Sequence, residues 1–189
     1  MKFIPFKTIT LLFLLVSIVG CSTMPTHLIV SPQISLSPSN QLTGKEVQLH
    51  VVDMRTSPHI IQILEKNEPA IILSSEQRLE NIIQDTLTTH WQQQGLAING
   101  SAANKMTVTV KKAIISVDQE SVSYSTQSEI IIEVSIDNSK QTLTSSFKTR
   151  AHSEGALKAD VAVLEREFNQ HLSTLLTQLL TSSDIKTFL

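Results

Sequence analysis

From Ser128 to Asp137 the sequence alternates with a period of two: Ile130, Ile132, Val134 and Ile136 fall on one side, Glu129, Glu133, Ser135 and Asp137 mostly on the other. Successive side chains of a strand point to opposite faces, so this pattern predicts a strand with one face buried and one face wet. A chain that carries it must build a sheet and find something apolar to cover it. The turn cluster Asp137-Asn138-Ser139-Lys140 comes next, and then Leu143, Ser145, Phe147 and Thr149 resume the alternation as a hairpin partner. Met106, Val108 and Val110 share a parity that switches at Lys111-Lys112 to Ala113, Ile115 and Val117. A bulge in one long strand produces that switch. Earlier strands are expected at His27 to Leu36, at Val47, Leu49 and Val51, and at Ile60 to Leu64 and Ala70 to Leu73 around the turn from Glu65 to Pro69.

Two segments repeat at three and four instead. Ser74 with Gln77 fits a capping box, Leu79, Ile82, Ile83, Thr86, Leu87 and Trp91 form a stripe, and Gly95 closes the element as a C-cap glycine does. The second helix is expected from about Ala156 to Thr181, with Leu157, Val161, Leu164, Phe168, Leu172, Leu175 and Leu179 in its stripe; Leu176 and Leu180 widen it enough to lie on a sheet. The order ββββαβββα predicts an α+β fold: a single domain over residues 27–189, one antiparallel sheet, two long helices packed on one face.

The N-terminus gives the address. Lys2 and Lys7 head an apolar run from Thr8 to Gly20, and Cys21, the only cysteine of the 189 residues, ends it. The run is too short to cross the hydrocarbon core, which takes roughly 20 apolar residues, and its layout is that of a secretory signal. A lone thiol would be a liability after ordinary secretion. Ile18-Val19-Gly20-Cys21 resembles the bacterial lipobox, which assigns Cys21 as the lipidation site and residues 1–20 as a signal peptide that is removed. Residues 21–26 are then a short tether of roughly 20 Å at most. Ser22, where inner-membrane lipoproteins of Gram-negative bacteria resemble one another in carrying aspartate, implies the outer membrane.

Charge and composition exclude several classes. The formal charge of −2 becomes −4 once Lys2 and Lys7 leave with the signal. Nucleic acid needs clustered Lys and Arg, and the densest basic feature is the single pair Lys111-Lys112. Trp91, Tyr124, Phe147, Phe168 and Phe188 are the only aromatic residues after the signal, too few for a stacking platform. His27, His50, His59, His90, His152 and His171 are scattered with no metal-ligand spacing, and no nucleophile elbow or phosphate loop occurs. Glu129 and Glu133 on one strand lie about 13 Å apart, too far for a glycosidase pair at about 5 to 9.5 Å. Glu165 and Glu167 read as a solvated helix face, and Asp53 with Arg55 as a structural ion pair more readily than a ligand site. No catalytic residue, cofactor or metal is expected.

Several segments carry a family resemblance in order along the chain: "LIVSPQISL", Asp53-x-Arg55-Thr56, "RLENIIQDTLTTHWQQQGL", "SVSYSTQSEIIIEV", "EGALKADVAVLEREFNQHL" and the closing Asp184-Ile185 with Phe188. Together they resemble the YajG family of bacterial lipoproteins. The resemblance implies a Gram-negative, periplasm-facing lipoprotein with an α+β domain, and no functional residue beyond the lipid-bearing Cys21. The expected role is a non-catalytic module, anchored to the membrane by lipid, that binds another envelope protein. The alternative is an auxiliary lipoprotein presenting a lipid or small ligand to an envelope transport system, which predicts an apolar groove between helices and sheet large enough for an acyl chain.

Overall fold

The computed structural model describes residues 26–189, so Cys21, the signal segment and the tether up to Pro25 lie outside the described residues. Within them the strands are β1 (His27–Leu28), β2 (Glu46–Asp53), β3 (His59–Glu65), β4 (Ile71–Ser75), β5 (Ala97–Ile98), β6 (Lys105–Gln119), β7 (Ser123–Asp137) and β8 (Thr142–Ala156). The helices are α1 (Leu79–Gln93), α2 (Val161–Thr181) and the short α3 (Ser183–Phe188).

Strand β6 is the spine. One edge pairs antiparallel with β7 along its whole length, and β7 pairs antiparallel with β8. Its other edge takes β2 beside its first half and β3 beside its second, both parallel to it. The sheet is therefore mixed, with β1–β4 and β2–β5 also parallel and only β3–β4 added to the antiparallel side. This corrects the expected antiparallel sheet. The cause is α1: it carries the chain from β4 back across the sheet, so β6 sets out in the direction that β2 and β3 already follow, as a crossover connection requires. The predicted bulge is present, with the register shifting between Val110 and Lys112 so that both Val110 and Ala113 point inward.

Both helices cover the same face. Ile130, Ile132 and Ile136 of β7 are fully buried and join one core cluster with Ile83, Leu87 and Trp91 of α1 and Leu164, Phe168, Leu172, Leu175, Leu176, Leu179 and Leu180 of α2. Gly95 does close α1: at φ +89° its N–H donates to the Gln92 carbonyl while the Leu96 N–H reaches back to Trp91, the paired bonds of a Schellman cap. A side chain there would strike Thr43, whose Oγ1 lies 2.6 Å from an ideal Cβ.

Three local expectations change. Ser74 and Ser75 end β4, and α1 starts at Leu79 behind Arg78 with no side-chain cap, so the capping box is not formed. The second helix begins at Val161, capped by the Asp160 carboxylate on the Ala162 N–H, because β8 runs on to Ala156 and Leu157 turns outward at φ +67°. Leu157 is thus 70% exposed and no part of the stripe.

The third change concerns His27 to Leu36, where only His27–Leu28 pairs as a strand. The rest is an extended strap along α2. The backbone N–H groups of Ile29, Ser31 and Gln33 donate to the side chains of Glu165, Asn169 and Ser173, each at 2.8 Å, and the Asn169 amide returns a bond to the Ile29 carbonyl. Acceptors four apart on a helix stack along one face, and alternate N–H groups of an extended chain point one way, so the two periods mesh. Glu165 is therefore a partner of the strap and not simply part of a solvated face.

Candidate functional site

Asp53 and Arg55 sit where β2 gives way to β3, opposite the bulge of β6. The Arg55 guanidinium binds both Asp53 oxygens, at 2.7 Å from Nη2, and Nη1 donates to the carbonyls of His59 and Ala113 at 3.3 and 3.2 Å. Its side chain is only 6% exposed. Burial works to raise the Asp53 carboxyl, yet the Arg55 hydrogen bonds and charge, with Arg78 beyond, hold it below its ordinary value. The pair closes a seam: two carbonyls freed by the two interruptions find their donor in one fork. It is structural, and its donors are spent on the protein.

The outer face of β6, β7 and β8 is different in kind. Glu129 is held by Lys112 at 2.7 Å, Lys148 at 3.1 Å and Arg150, the residue directly across from it on β8. Hydrogen bonds from Lys112 and then Arg150, with burial opposing, depress its carboxyl to about 2. Lys111 adds a looser pair with Glu133 at 3.3 Å. The middle of the face is thus a cluster of four cations around two carboxylates, with Lys105 and the acids Asp118, Asp137 and Glu154 toward its ends. A shallow groove of about 420 Å³ runs through it, lined by Lys112, Ile114, Gln127, Glu129, Arg150 and His152. Lys148 and Arg150 were missing from the sequence reading. Their signal was the hairpin: the strands meet at Asp137 and Thr142, and counting back from that pair sets Glu129 opposite Arg150.

Strand β8 borders this face and is the edge of the sheet. It runs for 15 residues and, among the described residues, pairs with β7 alone, so every second N–H and C=O is aimed away from the sheet. Thr144, Ser146, Lys148, Arg150, His152 and Glu154 form its exposed row.

The remaining candidates are dispersed. His171 bonds Ser128 at 3.0 Å beneath the sheet, His59 bonds Ser57, His152 reaches Glu154 at 3.4 Å, and His27 meets Thr26. Among the described residues no group of His, Cys, Asp and Glu is arranged to hold a metal ion, and no helix is long and apolar enough to cross a membrane. The sheet-facing stripes of α1 and α2 are buried. Among the described residues the most exposed large apolar side chains, Ile29, Met54, Leu64, Ile71, Ile72, Val122 and Leu157, lie outside the helices, whose Ile82 and Val163 are half-buried.

A model of an uncharacterised lipoprotein family matches residues 32–189. Among solved structures, the chain is similar to a Xanthomonas campestris protein of family DUF330, at 15% identity and a TM-score of 0.63, covering 87% of this chain and 97% of that one. It is also similar to a Helicobacter pylori homologue of a neuraminyllactose-binding hemagglutinin, at 10% identity and a TM-score of 0.49, covering 86% of this chain and 96% of that one. The first likeness shows a shared fold, and the second is too distant to bear on fold or ligand. No curated protein matches the sequence.

Proposed function

The chain belongs to this uncharacterised lipoprotein family, of YajG type, and on that premise we propose that it is an outer-membrane lipoprotein, held at the periplasmic face by lipid on Cys21, whose domain binds another envelope protein and catalyses nothing. The observation that carries this reading is the 15-residue edge of β8, which among the described residues has no further strand beside it and carries Lys148 and Arg150 at its middle. An edge strand offers main-chain hydrogen bonds to an incoming strand, and the side chains beside it supply selectivity. Lys148 and Arg150 keep that edge from pairing indiscriminately, since a strand brought alongside must answer their charge. The partner segment is accordingly extended, with an acidic group where it meets Lys148 and Arg150. A lipid-presenting role is disfavoured, because the apolar stripes with which α1 and α2 face the sheet are buried against it instead of lining a groove.

Photocrosslinking in intact cells tests this. A crosslinker at Thr144, Lys148 or His152 is expected to trap one protein, and one at Thr174, on the exposed side of α2, is expected to trap none. Reversing Lys148 and Arg150 to Glu should abolish the adduct without changing the circular dichroism. Equal capture from both sets of positions, or none from β8, rejects the reading.

A further inference from the structure

Gln119, at the end of β6, is 5% exposed and spends its whole amide on two turns. The two hydrogens of Nε2 are shared among the carbonyls of Glu120, Ser123 and Leu157 at 2.7, 3.0 and 2.9 Å, and Oε1 accepts the Ala159 N–H at 2.9 Å. The Leu157 N–H completes the link by donating to Val122 at 2.8 Å. Beside the exposed Glu120, Ser121 and Lys158, this buried knot also presents two large apolar side chains to water. Val122 is 71% and Leu157 70% exposed. Leu157 also holds a left-handed backbone at φ +67°, which costs a residue with a branched side chain and persists only where the surroundings impose it.

The same end of the domain gathers more. Leu64 shares a cleft with Val122, Ile72 lies across the hairpin from the Leu64 strand, and Lys158 pairs with Glu65 at 3.5 Å to tie the two hairpin ends together. Leu64 and Ile72 are 43% and 54% exposed. Exposed apolar groups set together at one end mark a contact surface more than chance placement does.

We propose that this end is a membrane-docking surface, in which Val122 and Leu157, backed by Leu64 and Ile72, rest against the phospholipid layer that receives the Cys21 acyl chains. The inference rests on the lipid-anchor reading above. Where the chain enters the fold selects lipid as the occupant. β1 runs parallel to β4, with His27 beside Ser74, so the chain arrives at His27 from the side of Ile71 and Ile72. Ile71 is three register positions from Ser74, about 10 Å, and the tether between Cys21 and Thr26 is long enough to cover it. Charge narrows the lipid further. Glu65, Glu68, Asp118 and Glu120 outnumber Lys66 and Lys158 at this end, so the surface suits zwitterionic headgroups and is repelled by anionic ones.

The test uses the full lipidated protein, reconstituted through its own acyl chains into vesicles of phosphatidylethanolamine and phosphatidylcholine. A polarity-sensitive fluorophore is placed on one introduced cysteine at a time, Val122→Cys, Leu157→Cys or Thr174→Cys. At 122 and 157 the emission should shift to the blue, lose its quenching by aqueous iodide and gain quenching by lipids brominated near the headgroup; at 174 it should do none of these. Phosphatidylglycerol in the vesicles should reverse the effect. Val122→Asp combined with Leu157→Asp touches no core side chain, so the protein should still float with the vesicles while a label at Leu64→Cys moves into water. Flotation with labels at 122 and 157 as open to iodide as the one at 174 overturns the docking surface alone. Failure to float overturns the lipid anchor, and the docking surface with it.

Discussion

Ile132 and Glu133 are consecutive residues of β7 with opposite surroundings. Ile132 is fully buried beneath the helices, whereas Glu133 stands in water and shares a loose ion pair with Lys111. The dry face tolerates no charge because the helices leave it no solvent. The wet face consists of charges that hold one another and can be exchanged. Between the two lies the Asp53–Arg55 seam, ionic like the wet face and inaccessible like the dry one.

The largest effect belongs to the dry face. Ile132→Asp buries a carboxylate or forces its protonation and should cost roughly 3 to 5 kcal/mol, while Glu133→Lys beside it should stay within about 0.5 kcal/mol. Chemical denaturation of the two variants reads the contrast directly, and equal midpoints would break it. Next comes the seam. Arg55→Ala strands the Asp53 carboxylate and the carbonyls of His59 and Ala113, for about 2 to 4 kcal/mol. Arg55→Lys should recover only part of that, because an ammonium cannot span both oxygens and both carbonyls. Full recovery by lysine would place the seam with the exchangeable charges.

The smallest effect is on the wet face and shows as a pH dependence. Glu129 has its carboxyl depressed from 4.5 to about 2, so the stability it contributes is complete above pH 4.5 and is lost as the pH falls through 4.5 toward 2. Glu129→Gln should change stability at pH 7 by less than about 1 kcal/mol, since exposed ion pairs are weak. Its acid limb should be shallower than that of the parent. An identical acid limb in both proteins would mean that the three cations do not hold Glu129 in the folded state.

Periodicity made the antiparallel half of the molecule legible: the turn at Asp137 to Lys140, the bulge at Lys111 and the buried stripes of both helices are local patterns. The parallel half was not legible, because nothing within β2 or β3 says which strand will lie beside it. That pairing is decided by where α1 delivers β6, a fact about the whole chain. His27 to Leu36 shows the same limit. Its alternation correctly meant an extended backbone, but periodicity does not say whether the partner is a strand or, as here, a row of side chains on a helix. Ser74 and Gln77 had the letters of a capping box and went to the sheet, where Ser74 pairs with both His59 and His27. The Glu129 cluster depended on hairpin register, one inference beyond the strands themselves. Cys21, the site residue the sequence marked most clearly, lies outside the described residues.

The strap also has a mechanical consequence. Were the chain fastened through Cys21 as proposed, a pull would enter at Thr26 and meet first the two-residue β1 and then the bonds to Glu165, Asn169 and Ser173. These lie in a row along α2, so a force directed along the strap shears them together and does not peel them one by one. Load is thereby passed to α2, whose leucines are buried in the core, and the long hairpin of β7 and β8 is left out of the force path. The surface offered to a partner would then keep its shape while the anchor moves with the membrane.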